Sequence, residues 1–212
     1  MTRSNAVTGA VLGAATVTTG LIAGAFYVFS CGVMPGLARS DDRMYVAVMR
    51  DINDVIQNPV FFLSFLGALV LTGVSAWQLR ATPYRRWVWT AVAAYAMAFL
   101  VTVTFNVPLN DELAGTGDPA ALRARFEGPW VAWNAARAVL STVALGCLGR
   151  ALVGYGRAGT APGRGRAGQG RGKRADRSGQ GPAETAGSVR RGAGENGRSG
   201  RAQPGSSGRN RA

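Results

Sequence analysis

The sequence predicts an all-α fold: a four-helix transmembrane bundle with an amphipathic helix in the first loop and a disordered C-terminal tail. Three observations predict it. The first is the length of the uncharged runs, 35 residues from Ser4 to Ala38, 25 from Val55 to Leu79 and 24 from Trp87 to Asn110. A bilayer core needs about 20 apolar residues in a helix. The second is the missing polar face. A soluble helix of this length carries charges along one side, and these runs carry none. The third is a change of composition near residue 154. Residues 1–154 hold 11 Arg against 8 acidic residues, with all eight Phe and all five Trp. Residues 155–212 hold 13 Lys+Arg against 3 acidic residues, and 16 Gly in 58 positions. The net charge of +13 and the mean hydropathy of +0.07 therefore average two unlike parts. We divide the chain into a four-span membrane domain, 1–153, and a Gly/Arg-rich basic tail, 154–212.

The spans fall near 7–30, 59–79, 87–106 and 130–152, the last interrupted by Arg137. Arg3 and the small residues Ala23-Gly24-Ala25 also fit a cleaved leader, but the apolar run exceeds the roughly 7–15 residues of a leader core. Gly9, Gly13, Gly20 and Gly24 share one face of span 1, where a helix without Cβ atoms admits a close neighbour. That neighbour is either another span of the same chain or a second copy in a homo-oligomer. In the first loop, Ser40-Asp41-Asp42 can cap a helix and set carboxylates at its positive end. Tyr45, Val48, Ile52, Val55 and Ile56 then recur at helical spacing, which predicts an amphipathic helix over the bundle. Asn58-Pro59 reads as the cap and first turn of span 2. Pro108 is expected to break the helix between Asn106 and Asn110. Asp118-Pro119 is expected to start a short loop helix, and Pro129 to open span 4.

With four spans, Arg3, Arg80, Arg85, Arg86 and the tail share one side. The positive-inside rule makes that side cytoplasmic, giving a multi-pass cell-membrane protein with both termini inside. The tail cannot bury enough surface to order itself. Its cations suit anionic lipid, whereas the aromatic residues that would stack on RNA bases are absent. Membrane lipid is thus the expected partner, and no specific nucleic acid.

Composition also limits the chemistry. There is no histidine, which excludes His-ligated haem or zinc, a Ser-His-Asp triad and an imidazole base. Cys31 and Cys147 stand alone, without metal-ligand spacing. No cofactor is expected. Polar residues gather instead at the outer ends of the spans: Asn53, Asp54, Gln57 and Asn58; Asn106, Asn110, Asp111 and Glu112; Trp130, Trp133, Asn134 and Arg137. Each has a bland explanation. Asn58 and Asn110 can cap helices, and Trp130 and Trp133 can sit in an interfacial belt. Arg137 can snorkel outward, although an arginine within a span favours a partner, with Asp54, Asp111 and Glu112 the candidates.

Taken in order, the span-end motifs point to a family. They are Ala23-Gly24-Ala25-Phe26-Tyr27-Val28-Phe29-Ser30, Val33-Met34-Pro35-Gly36-Leu37, Asp51-Ile52-Asn53 and Asn58-Pro59-Val60-Phe61. Asn106-Val107-Pro108-Leu109-Asn110 and Trp130-Val131-Ala132-Trp133-Asn134-Ala135-Ala136-Arg137 complete the set. Over residues 6–150 the chain resembles the anthrone oxygenase-like family of small four-span membrane proteins. The resemblance implies oxidation of an anthrone methylene to a quinone carbonyl without metal or flavin, on an aromatic polyketide-like substrate. In that chemistry Asp54 or Asp111 would be the base. Arg137, Asn106 and Asn134 would stabilise the enolate. Tyr27, Trp130 and Trp133 would stack on the rings, with Asn53, Asn58 and Asn110 completing the binding set. The alternative is a non-enzymatic membrane protein that binds a lipid or small amphiphile, or serves a structural role.

Overall fold

The computed structural model describes residues 3–160, and the tail from 161 onward lies outside the described residues. The described elements are all helical: α1 (Arg3–Val28), α2 (Met34–Leu37), α3 (Asp42–Ile56), α4 (Pro59–Gln78), α5 (Arg85–Val101), α6 (Val107–Ala114) and α7 (Pro119–Thr160). Two π-helical turns, Phe29–Val33 and Thr102–Asn106, join α1 to α2 and α5 to α6 without interrupting the rod. Four helical stretches are long and apolar enough to cross a membrane: Asn5–Leu37, Pro59–Gln78, Arg85–Ala114 and Pro119–Ala158. Their outer surfaces are apolar as well, with Val17, Leu21, Val60, Leu63, Val70 and Val139 all exposed. In water such a surface would be an association site; in lipid it is the solvated face.

Helix ends follow the local chemistry. Asp41 caps α3, its Oδ1 accepting the Met44 N–H at 3.0 Å. Asn58 caps α4, its Oδ1 accepting the Phe61 N–H at 3.0 Å, with Pro59 in the first turn. Asp118 Oδ2 accepts the Ala121 N–H at 3.1 Å at the start of α7. The amphipathic α3 is rotated from its expected phase. Tyr45, Val46 and Met49 are buried, while Val55 is exposed.

The prolines depart from expectation. Pro108 does not break the helix. The π turn Thr102–Asn106 ends two residues before it, and the Val107 N–H reaches Thr102 O, five residues back. Pro35 repeats the arrangement, with Met34 N–H on Phe29 O. A proline lacks its N–H and crowds the preceding turn. A locally widened turn accommodates both effects, so the helix continues. Pro129 does not open a new helix either. It lies inside α7, which runs unbroken for 42 residues. At 1.5 Å per residue α7 is about 63 Å long, about twice the hydrocarbon thickness.

Around the bundle, α1 packs between α7 and α4, and α5 packs between α4 and α7. The core between them is rich in small residues, including Ala15, Ala68, Ala76, Ala91, Ala144 and Ala151, which let the helices approach closely. A Cβ at Gly9 or Gly20 would touch Tyr155 or Leu145 of α7, whereas one at Gly13 or Gly24 would meet nothing within 4 Å. At the α4–α5 turn, Tyr84 reaches across to α7, its hydroxyl donating to Gly154 O at 2.7 Å.

A second, separate core forms a cap from α2, α3, α6 and the first part of α7: Met34, Tyr45, Val46, Met49, Leu113, Leu122, Phe126 and Trp130. Two arginines tie it down. Arg50 donates from Nε to Leu113 O at 2.8 Å and from Nη2 to Gly115 O at 2.6 Å, satisfying carbonyls at the end of α6. Arg123 pairs with Asp42 at 3.0 Å and Glu127 at 2.8 Å. It also donates to Ser40 O at 2.9 Å and Ala38 O at 3.0 Å, and lies over the Tyr45 ring.

Candidate functional site

A cavity of about 310 Å³ lies where the bundle meets the cap. Its walls are mainly apolar and rich in phenylalanine. Phe26, Phe29, Phe61, Phe62, Phe65 and Phe99 line it, six of the eight phenylalanines in the chain. Phe65 is their hub, stacked on Phe61 at 5.7 Å and Phe99 at 5.3 Å, with Phe26 edge-on at 6.5 Å. Beneath this cluster, Tyr95 donates its hydroxyl to Phe65 O at 2.9 Å.

The polar lining comes from Asn53 of α3 and Gln57 just after it, Thr102 of the second π turn, Asn110 and Asp111 of α6, and Asn134 and Arg137 of α7. Trp130 is 5% exposed, so it belongs to the interior and not to an interfacial belt. Its indole N–H donates to Asn110 Oδ1 at 2.9 Å, which satisfies the buried donor. Asn134 is saturated. Its Nδ2 donates to Phe26 O at 3.0 Å and Ser30 Oγ at 2.8 Å, and its Oδ1 accepts Arg137 Nη2 at 2.9 Å.

Arg137 itself does not meet the acid expected for it. The ion pairs among the described residues are both made by Arg123. Arg137 is 5% exposed, lies 4.3 Å from the Phe26 ring centre and 5.4 Å from that of Trp130, and leaves its Nε–H without a partner. Aromatic faces attract a guanidinium electrostatically, which takes over part of the role foreseen for a carboxylate.

The remaining residues singled out by the sequence lie elsewhere. Asp54 is exposed on α3 and outside the cavity lining, and Asn58 is the α4 cap. Tyr27 is 61% exposed on α1. Trp133 stacks on Phe105 at 3.9 Å in a separate groove with Pro108 and Pro129. Asn106 is buried at the end of the second π turn, with neither its side-chain amide nitrogen nor its oxygen partnered.

Sequence reasoning missed the phenylalanine walls and Ser30. The one signal that would have found the walls is the crowding of phenylalanine into Phe26–Phe29, Phe61–Phe65 and Phe99, at the same ends of the spans as the polar motifs.

Residues 59–147 match the family model described as Anthrone oxygenase. The chain carries an anthrone oxygenase-like domain. No curated protein and no solved structure matches the chain. The anthrone oxygenase-like domain supplies Phe61, Phe65, Phe99, Asn110, Asp111, Trp130, Asn134 and Arg137 to the cavity. Phe26, Phe29, Ile52, Asn53, Ile56 and Gln57 come from α1, its π turn and α3, outside the matched residues.

The cavity is not sealed toward the bundle exterior. Phe62 and Leu66 of α4, Val103 of the second π turn and Val107 of α6 line it and are also exposed.

Proposed function

We propose that this cavity oxidises an aromatic polyketide-like substrate of the anthrone type, using dioxygen and the chain's own side chains. The observation that carries the reading is the meeting of one acid, Asp111, and one buried cation, Arg137, in a phenylalanine-walled cavity of an anthrone oxygenase-like domain. Asp111 removes a proton from the methylene between the two rings. The charge left behind spreads to the ring carbonyl oxygen, where a fixed cation in a dry site stabilises it. Dioxygen adds at the carbon to give a peroxide, and loss of water leaves the second quinone carbonyl: CH2 plus O2 becomes C=O plus H2O. Asn134 has its donors and acceptor engaged, so its part is to hold Arg137 in place. Trp130 and the phenylalanines bind the flat ring system. Asp54, outside the lining, is the weaker candidate for the base.

By the positive-inside rule, we place both termini in the cytoplasm and the cavity toward the outer leaflet. A C-terminal reporter active only on the outer face would overturn that orientation.

Detergent-solubilised protein is expected to accelerate anthrone oxidation above the spontaneous rate, followed by quinone absorbance and oxygen uptake. Arg137→Ala should lose about 100-fold in kcat, the scale of removing one preorganised oxyanion donor. Asn134→Ala should lose less. A wild-type rate equal to the spontaneous one, or full activity in Arg137→Ala, would sink the proposal.

A further inference from the structure

We infer that the cavity takes its ligand as a planar aromatic anion, with a carboxylate or ionised phenol oxygen beside the Arg137 guanidinium. The inference rests on reading the cavity as the ligand site, and it adds the charge state in which the ligand binds. Arg137 stays charged, is 95% removed from solvent and forms no ion pair among the described residues. Buried charges are ordinarily paired, because an uncompensated one is strongly disfavoured. The protein's own partners here are neutral: Asn134 Oδ1, which accepts a single N–H, and the faces of Phe26 and Trp130. Nε–H is buried and donates to nothing. Asp111 lines the same cavity without pairing to Arg137. A guanidinium that lines a cavity without a carboxylate partner matches an oxyanion in charge, and such charge-assisted bonds are the strong ones.

The walls decide the rest of the ligand. Phe61, Phe65 and Phe99 form a stacked series, which suits a flat ring system. A volume of about 310 Å³ falls at the small end of ligand pockets.

The test is binding of 2-naphthoate to the full chain in lipid nanodiscs, read by tryptophan fluorescence, against neutral 2-naphthamide of nearly the same shape. 2-Naphthoate should bind roughly tenfold or more tightly, the scale of one charge-assisted hydrogen bond. Background partition into lipid favours the neutral amide, so it works against the expected result. In Arg137→Gln the preference should vanish, and in Arg137→Lys part of it should remain. Equal binding of the two probes by the wild-type chain overturns the inference, and that comparison needs no variant to fold. Preference surviving in Arg137→Gln also overturns it, and so does dodecanoate binding as tightly as 2-naphthoate. 2-Naphthoate has no methylene to oxidise. Binding of it by a chain inert toward anthrones would therefore refute the oxidation and leave this inference standing.

Discussion

Tyr45 is fully enclosed by the cap, yet its hydroxyl has no partner. Burial pushes its pKa well above the usual phenol range, the charge of Glu127 adds to this and that of Arg123 opposes it. A raised pKa means that Tyr45 supports folding fully below its unfolded value, near pH 10, and loses that contribution as pH rises beyond it. Tyr45→Phe should therefore leave the thermal midpoint at pH 7 unchanged or slightly raised, because it deletes an unsatisfied hydroxyl. It should also reduce the fall of the midpoint above about pH 10. A drop of several degrees at pH 7 would mean that the hydroxyl has a role the structure does not contain. The same scale separates neighbouring residues that look equivalent in the sequence. Tyr27 and Phe26 are adjacent, but successive helix positions point about 100° apart, and only Phe26 faces the cavity. Asp54 and Asp111 both sit at span ends, and only Asp111 lines it. The residue types were legible; the helix phase that selects among them was not.

Gly154 shows how one contact fixes two elements. A Cβ at this position would collide with the ring of Tyr84, whose hydroxyl holds Gly154 O. Gly154→Ala is expected to destabilise the chain by about 1–3 kcal/mol through overpacking. Tyr84→Ala made in the same chain should recover part of that loss. Additive losses in the double variant would contradict the clash. Among the elements, the spans and caps were readable because their causes are local: about 20 apolar residues for a crossing, and a short polar side chain before the first turn for a cap. Asp41, Asn58 and Asp118 all behave this way. Pro108 and Pro129 were misread because the rule for a proline in a water-soluble helix was applied. In a membrane helix the backbone bonds have no water to turn to, so the chain adjusts its turn and keeps the rod.

At the scale of the molecule, two cores mean two levels of stability. The bundle core is closed by helix packing, while the cap depends on Arg123 and Arg50 binding backbone carbonyls across elements. Arg123→Gln should raise hydrogen exchange in 38–52 and 110–127 while α4 and α5 stay protected, because segments open in cooperative units. Uniform loosening of the whole chain would argue against separable cores. The long α7 belongs to both levels, which is why the site at their junction carries residues from each. One consequence follows from the gap bordered by Phe62, Leu66, Val103 and Val107. Under the proposed function, a hydrophobic ligand dissolved among the acyl chains would reach the aromatic walls by diffusing sideways, without a passage through water. Occupancy would then be governed by the ligand's mole fraction in the bilayer, so adding empty vesicles would dilute it even when its amount per millilitre is unchanged.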